Sequence, residues 1–390
     1  MTEDRLRIGF IPLVDAAALI IAVDKEFAAD EGLTIDLIRE VSWSNVRDKL
    51  NIGVFDAAHL LAPVVIASSL GIGHVKVPLV APIMLGLNGN AITVSPQLYD
   101  ALASAAEGDL ADPNISAKAL VRVVRERRRN RAEPIVFGMT FPFSTHNYQL
   151  RLWMAAAGVQ PDEDVRLVVL PPPYMVDSLA SRQVDGFCVG APWNSLAVEL
   201  GVGRILHFGC EIVARAPEKA LAVRAAWAAN RAEIMPALLR AVHRAAEFVN
   251  DAGNRDEVAA LLAAPHRLGV APELVRATIA GELRTTLGGP VRSSPYYMVI
   301  GRDGATRPDP AHAAWLYAQM VRWKQTPPAT KLLDAAIACF RPEPYDAVFG
   351  NPVASPDLPL DHIGAFTGPP FDAGNIFGDV VVKLAMPRPS

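Results

Sequence analysis

The sequence predicts an α/β protein built as two similar lobes with a ligand cleft between them, and three observations carry the prediction. The stretch Val54-Phe55-Asp56-Ala57-Ala58-His59-Leu60-Leu61-Ala62-Pro63 recurs in altered form as Val184-Asp185-Gly186-Phe187-Cys188-Val189-Gly190-Ala191-Pro192, with Ala-Pro six and seven residues after the aspartate each time. Each copy closes a unit that reads strand, helix, strand, helix, strand. Strands alternating with helices form parallel sheets. Two such units leave a cleft between them, where small ligands usually bind.

In chain order, residues 6–11 read as a strand and residues 16–27 as a helix ending near Gly32. Residues 33–38 alternate apolar and polar like a strand. Ser44 is placed to cap a helix that runs through Leu50, and residues 53–59 close the first lobe. Residues 91–95 read as the strand that crosses to the second lobe. There the plan repeats: a strand over 135–139, a helix capped by Ser144-Thr145 and ending near Gly158, and a strand over 165–170. The stiff triplet Pro171-Pro172-Pro173 follows, then a helix over 175–182 and a strand over 186–190. Residues 220–223 read as the return crossing. From Ala225 to about Gln325 the pattern is mostly helical, and from Pro342 a Pro- and Gly-rich tail reads as irregular structure on the outside. The expected division is 1–92 for the first part of lobe one, 93–215 for lobe two, 216–340 for a largely helical return to lobe one, and 341–390 for the tail.

Composition narrows the function. At 390 residues, 51% hydrophobic and 20% charged, the chain can bury a large core. A net charge of −4 gives no global attraction to nucleic acid or acidic lipid. Cys188, Cys210 and Cys339 are far apart and lack metal-ligand spacing; they read as small buried hydrophobes. The opening Met1-Thr2-Glu3-Asp4-Arg5 has neither the basic nor the apolar region of a signal peptide. No apolar run reaches the roughly 18 residues of a membrane span. Together these predict a cytoplasmic protein.

No hydrolase, kinase, zinc or dinucleotide motif is present. The candidate residues are those at strand ends and helix starts facing the predicted cleft, where open α/β sheets bind ligands. Trp43 lies in a strand-to-helix loop, and Asn90 follows Asn88-Gly89 at the first crossing. His146 opens the main helix of lobe two, where free amides and the helix dipole favour anions. Pro172 and Gly190 end strands, and Lys219 starts the return crossing. Each has a plainer reading: Trp43 as packing between elements, His146 as a cap or surface residue, Lys219 beside Glu218 as a solvated charge. The run Arg122, Arg125, Arg127, Arg128, Arg129, Arg131 reads as a solvated helix face, with a protein-docking patch as the alternative.

With these residues the chain resembles the nitrate- and bicarbonate-receptor branch (NrtA/CmpA-like) of the type II periplasmic binding proteins, over roughly residues 5–280. The marks are Arg7-Ile8-Gly9-Phe10-Ile11-Pro12-Leu13, Ser42-Trp43, Arg47-Asp48-Lys49-Leu50, Asp56-Ala57-Ala58-His59 and Leu87-Asn88-Gly89-Asn90-Ala91-Ile92. Further marks are Arg151-Leu152-Trp153-Met154-Ala155-Ala156, Pro171-Pro172-Pro173, Asp185 through Asn194 and Pro217-Glu218-Lys219-Ala220. The resemblance implies the two-lobed type II periplasmic-binding-protein fold. It implies an oxyanion in the cleft lined by Trp43, Asn90, His146, Pro172, Gly190 and Lys219. Nitrate binders of the family carry lysine at the position of Lys219, whereas bicarbonate binders carry an acid that works with calcium. The ligand implied is therefore nitrate or nitrite, with no metal or cofactor.

The N-terminus is most similar to that of the cytoplasmic, NasS-like nitrate sensors of the group. That similarity implies a regulator of nitrate assimilation which releases a NasT-like, RNA-binding antiterminator when ligand binds. The competing expectations are a nitrate receptor for an ABC permease and, more remotely, an enzyme using His146 and Cys188 as base and nucleophile.

Overall fold

The computed structural model describes residues 4–350, 363–368 and 370–372. Two open sheets organise it. The first has the order β14-β4-β11-β3-β1-β2. Its strands are β1 (Asp4–Phe10), β2 (Leu33–Arg39), β3 (Ala57–Leu61), β4 (Leu79–Asn88), β11 (Pro217–Arg224) and β14 (Met298–Val299). The second has the order β7-β6-β8-β5-β9, from β5 (Asn90–Val94), β6 (Val136–Met139), β7 (Arg166–Val169), β8 (Gly186–Gly190) and β9 (Arg204–Phe208). In each sheet the strands of the βαβ unit pair in parallel: β2-β1-β3 in one and β7-β6-β8 in the other. The repeat seen in the sequence is thus a repeat of topology. Its two copies end as the third parallel strand of each unit, β3 and β8.

The crossing between sheets is abrupt. β4 ends at Asn88 and β5 begins at Asn90. Asn88 (φ 61°) and Gly89 (φ 93°) take left-handed backbone there, a conformation that Gly and Asn accept more readily than other residues. The chain returns through the helix Gly209–Ile212 and β10 (Val213–Ala214), and enters β11 at Pro217. Asn88 ties the two crossings together: its backbone N–H donates to Ala216 O at 2.9 Å, and its Oδ1 accepts from Ala216 N at 2.8 Å.

Several elements differ from expectation. The first helix is shorter and broken: a 3-10 turn at Val14–Ala16, a helix Ala17–Asp24, then Glu26 in left-handed backbone before Phe27–Asp30. The cap of the helix Trp43–Asn51 is Ser42, not Ser44, since Ser42 is extended and its Oγ accepts from Asn45 N at 3.2 Å. β4 is an additional strand whose ten residues are all buried. A strand covered on both faces carries a near-continuous apolar run instead of alternation.

The region from 225 to 325 is mostly helical, with short strands besides: β12 (Glu282–Arg284) pairs with β13 (Val291–Ser293), and β14 extends the first sheet. The tail does not begin irregularly: Pro342–Phe349 is a helix with proline in its first turn, a position that proline favours. Further on, β15 (Gly364–Ala365) pairs with β10. The rest of the predicted tail lies outside the described residues. Of the arginine run, which the helix Pro113–Arg129 carries except for Arg131 just beyond its end, Arg122, Arg127 and Arg128 pair with Glu107, Asp185 and Asp164, while Arg125, Arg129 and Arg131 are exposed.

Candidate functional site

At the junction of the sheets lies a buried cluster of charges centred on Lys219, whose side chain is 0% exposed. Its Nζ lies 2.8 Å from Asp15 Oδ2 and 2.7 Å from Glu218 Oε1, and 5.3 Å from the ring centroid of Trp43. Side chains of consecutive strand residues normally point to opposite faces. Glu218 and Lys219 meet because β11 slips register against β4 on both sides of Lys219, the local re-aiming that a β-bulge produces.

Each half of the molecule contributes. From the first sheet and its loops, Asp15 sits in the 3-10 turn Val14–Ala16 and His59 in the middle of β3. His59 Nδ1 accepts the Ile11 N–H at 3.4 Å, so Nε2 carries the proton and faces Asp15 Oδ1 at 2.9 Å. From the second, His146 lies in the first turn of the helix Thr145–Ala156, capped as expected by Ser144. His146 Nδ1 lies 3.1 Å from Thr140 Oγ1 and 3.4 Å from Glu218 Oε1. Asn90 Nδ2 donates to Glu218 Oε2 at 2.7 Å and to Gln149 Oε1 at 3.1 Å. Glu218 therefore bridges the lobes, as does the backbone bond from Val14 N to Ala191 O at 2.9 Å.

Burial and charge set the protonation states. Burial alone would raise the Asp15 pKa, but the Lys219 ammonium and the His59 N–H outweigh it and hold the carboxyl ionised. Burial would lower the Lys219 pKa, and the two carboxylates reverse that. Glu218 goes the other way: burial raises its pKa in spite of Lys219. Burial, helped by Lys219, pushes His146 well below its usual value, and burial lowers His59 despite Asp15.

Asp15 Oδ1, Asp15 Oδ2 and His59 Nε2 have ion-pair contacts alone, and three other buried polar atoms of the cluster have no hydrogen-bond partner: Trp43 Nε1, His146 Nε2 and Asn90 Oδ1. Two of these nitrogens can present N–H groups to a ligand. Gly190, at the end of β8, lies beside Asp15 and Asn90. A methyl there would lie 3.4 Å from Asp15 Oδ2 and 3.6 Å from Asn90 Oδ1. A cation flanked by open N–H donors in a dry site is suited to a small oxyanion. Among the described residues no group of three or more His, Cys, Asp or Glu is arranged to hold a metal; the Lys219 ammonium itself occupies the position between the carboxylates.

Of the residues singled out from the sequence, the structure brings together Trp43, Asn90, His146, Gly190 and Lys219. Pro172, itself buried, opens a 3-10 turn after β7, near Thr140 by the pairing of Leu170 N with Met139 O, but makes no polar contact with the cluster. Neither Lys219 nor Glu218 is the solvated surface charge of the plainer reading.

Asp15, Glu218, Thr140 and Gln149 were not singled out. His59 and Glu218 belong to the stretches Asp56-Ala57-Ala58-His59 and Pro217-Glu218-Lys219-Ala220, yet nothing local marks them as facing the cleft. The Cys188 thiol hydrogen-bonds Gln149 Oε1 at 3.7 Å, and burial raises its pKa well above the usual thiol value, which makes it a poor nucleophile.

The chain belongs to the NMT1-like family, whose model matches residues 2–263. It is 32% identical over 335 residues to the nitrate/nitrite binding protein NrtA of Nostoc sp. (strain PCC 7120 / SAG 25.82 / UTEX 2576), covering 85% of this chain and 73% of that protein. It is 29% identical over 381 residues to the nitrate import ATP-binding protein NrtC of Synechocystis sp. (strain ATCC 27184 / PCC 6803 / Kazusa), covering 96% of this chain but 54% of that protein. The chain thus spans about half the length of that ATP-binding relative. The crystal structure of the periplasmic nitrate-binding protein NrtA from Synechocystis PCC 6803 superposes with a TM-score of 0.87 at 26% identity, covering 97% of this chain and 98% of that one. The fold is therefore the two-lobed periplasmic-binding-protein fold, and the chain is close to the NrtA proteins. No described helix is long and apolar enough to cross a membrane.

Proposed function

We propose that the cleft binds nitrate or nitrite without a metal, held by the Lys219 ammonium, Trp43 Nε1 and His146 Nε2, with Gly190 leaving room for the anion and Asn90 and Pro172 completing the wall. The observation that carries this reading is the fully buried Lys219 beside two buried nitrogens with no partner. Buried polar groups are nearly always satisfied, so such a set calls for a ligand. The start of the helix at His146 adds free amides and a favourable dipole. The names of the NrtA relatives support the choice of anion. Isothermal calorimetry with nitrate, nitrite and bicarbonate tests it: heats with the first two are expected, and binding of bicarbonate alone overturns it.

The output best supported by the relatives is delivery of the anion to an ABC permease, since they are named as nitrate-binding and nitrate-import components. That role places the protein outside the cytoplasmic membrane. The cytoplasmic sensor inferred from the resemblance predicts instead a NasT-like antiterminator bound without nitrate and freed by it. Cell fractionation, together with gel filtration of candidate partners with and without nitrate, separates the two. A periplasmic protein bound by a permease is expected, and nitrate-sensitive capture of an antiterminator in the cytoplasm would reverse the choice.

A further inference from the structure

We propose that the cleft takes up its monoanion together with a proton, which the Glu218–His146 pair holds. This deepens the anion-binding reading and rests on it.

The charges require it. Asp15 and Lys219 cancel, leaving Glu218 as the surplus charge of the cluster. With Glu218 ionised and both histidines neutral, the sealed site is already negative, and a nitrate placed in it meets net repulsion in a low-dielectric setting. One added proton removes that surplus.

Geometry says where it goes. Glu218 Oε1 faces His146 Nδ1 at 3.4 Å, and both side chains are fully buried. Glu218 reaches across the lobes to Asn90 and His146, so opening the cleft exposes it to water, where a carboxylate is ionised at neutral pH. Closing over the anion desolvates it and favours the proton, in line with the upward shift that burial gives Glu218 here. A proton between the pair also lets His146 Nε2, which has no partner, donate to an anion oxygen.

The other groups facing the pair do not compete. Lys219, on the same strand, and Asp15, in the turn after Leu13, stay charged. His59 on β3 is bound to Ile11 N and faces Asp15. Cys188 on β8 is a buried neutral thiol that feels Glu218. The Tyr297 hydroxyl, before β14, is held neutral by burial.

Nitrate is the probe of choice because it has no proton of its own near neutral pH. Calorimetry of the full chain in two buffers of different ionisation enthalpy should show net proton uptake at pH 7.5. The nitrate Kd should rise with pH between 6.5 and 9, approaching ~10-fold per unit. Glu218→Gln, which mimics the protonated carboxyl, should remove both the buffer dependence and the slope. Nitrate binding by the wild-type protein with no proton exchange and a flat Kd overturns the proposal whether or not the variant folds. Uptake that persists in folded Glu218→Gln overturns the assignment to the pair. Absence of nitrate binding at every pH overturns the anion reading itself.

Discussion

Lys219 Nζ lies 2.8 Å from Asp15 Oδ2 with both side chains buried, so one ammonium holds a carboxylate in the interior and presents charge to the cleft. Removing it strands that carboxylate. Breaking a buried pair costs about 3–5 kcal/mol, so Lys219→Met should lower stability by about that much in urea titrations. Lys219→Glu places a third acid in the cluster and should abolish nitrate binding. A folded Lys219→Glu protein with native-like nitrate affinity would remove Lys219 from the site.

Gly190 separates fold from ligand. An alanine methyl there meets Asp15, Leu13 and Asn90 at 3.4 to 3.6 Å, ordinary contact that the fold accommodates. In the proposed binding mode the same methyl crowds the anion. Gly190→Ala should leave the melting temperature within about a degree while weakening nitrate by roughly tenfold or more, about 1.4 kcal/mol. The contrast is Gly9→Ala, where the new methyl falls 2.3 Å from the Phe55 ring and should cost about 1–3 kcal/mol by overpacking. Equal nitrate affinity in Gly190→Ala and wild type would place the ligand elsewhere.

The ligand should stabilise the closed form. Nitrate at 100 times its Kd contributes about 2.7 kcal/mol, readable as a thermal shift that sulfate does not reproduce. A bicarbonate shift that depends on added calcium would contradict a site whose central cation is Lys219.

Acid should loosen the fold through histidines buried in the neutral form. Burial lowers the pKa of His59, His146 and His207, and lowers His312 to about 4. These are depressed folded-state values, so the stability they contribute is fully present above the unfolded value of about 6.5 and is lost as pH falls through the folded value. For His312 the window runs from about 6.5 down to about 4, a loss of about 3 kcal/mol across it. Urea midpoints at pH 7, 5.5 and 4.5 should show the decline, and His312→Gln should reduce it. An identical pH slope in that variant would assign the effect to other groups.

The lobes were legible in the sequence because their repeat is written in adjacent residues: Asp56 to Pro63 and Asp185 to Pro192 each carry a whole strand end. β4 was not legible, since Pro82 and Gly86 interrupt an apolar run that shows no alternation once both faces are covered. At the site, strand ends and helix starts gave Trp43, Asn90, His146, Gly190 and Lys219. Asp15 and Glu218 were missed because what makes them matter is tertiary. Asp15 reaches Lys219 across the fold, and Glu218 turns inward only through a register slip that no local pattern announces.

Movement of the lobes should depend on Asn88. Its Oδ1 accepts from Ala216 and its Nδ2 donates to Tyr296 O at 2.9 Å, so one side chain joins the outgoing crossing, the returning crossing and the segment before β14. It also adopts left-handed backbone at φ 61°, which asparagine tolerates better than alanine. Asn88→Ala leaves a buried N–H and a carbonyl unsatisfied, each costing about 1–3 kcal/mol, and strains the turn. None of its atoms belongs to the anion cluster, so any change in nitrate affinity must come through the balance of open and closed forms. Apparent Kd scales inversely with the fraction that is binding-competent. Asn88→Ala should therefore melt earlier, show a larger radius of gyration in solution scattering without nitrate, and bind nitrate more weakly, while saturating nitrate restores the compact dimensions. A variant that loses stability yet keeps the wild-type scattering profile and nitrate Kd would show that Asn88 only braces the fold and that the lobes turn about some other point.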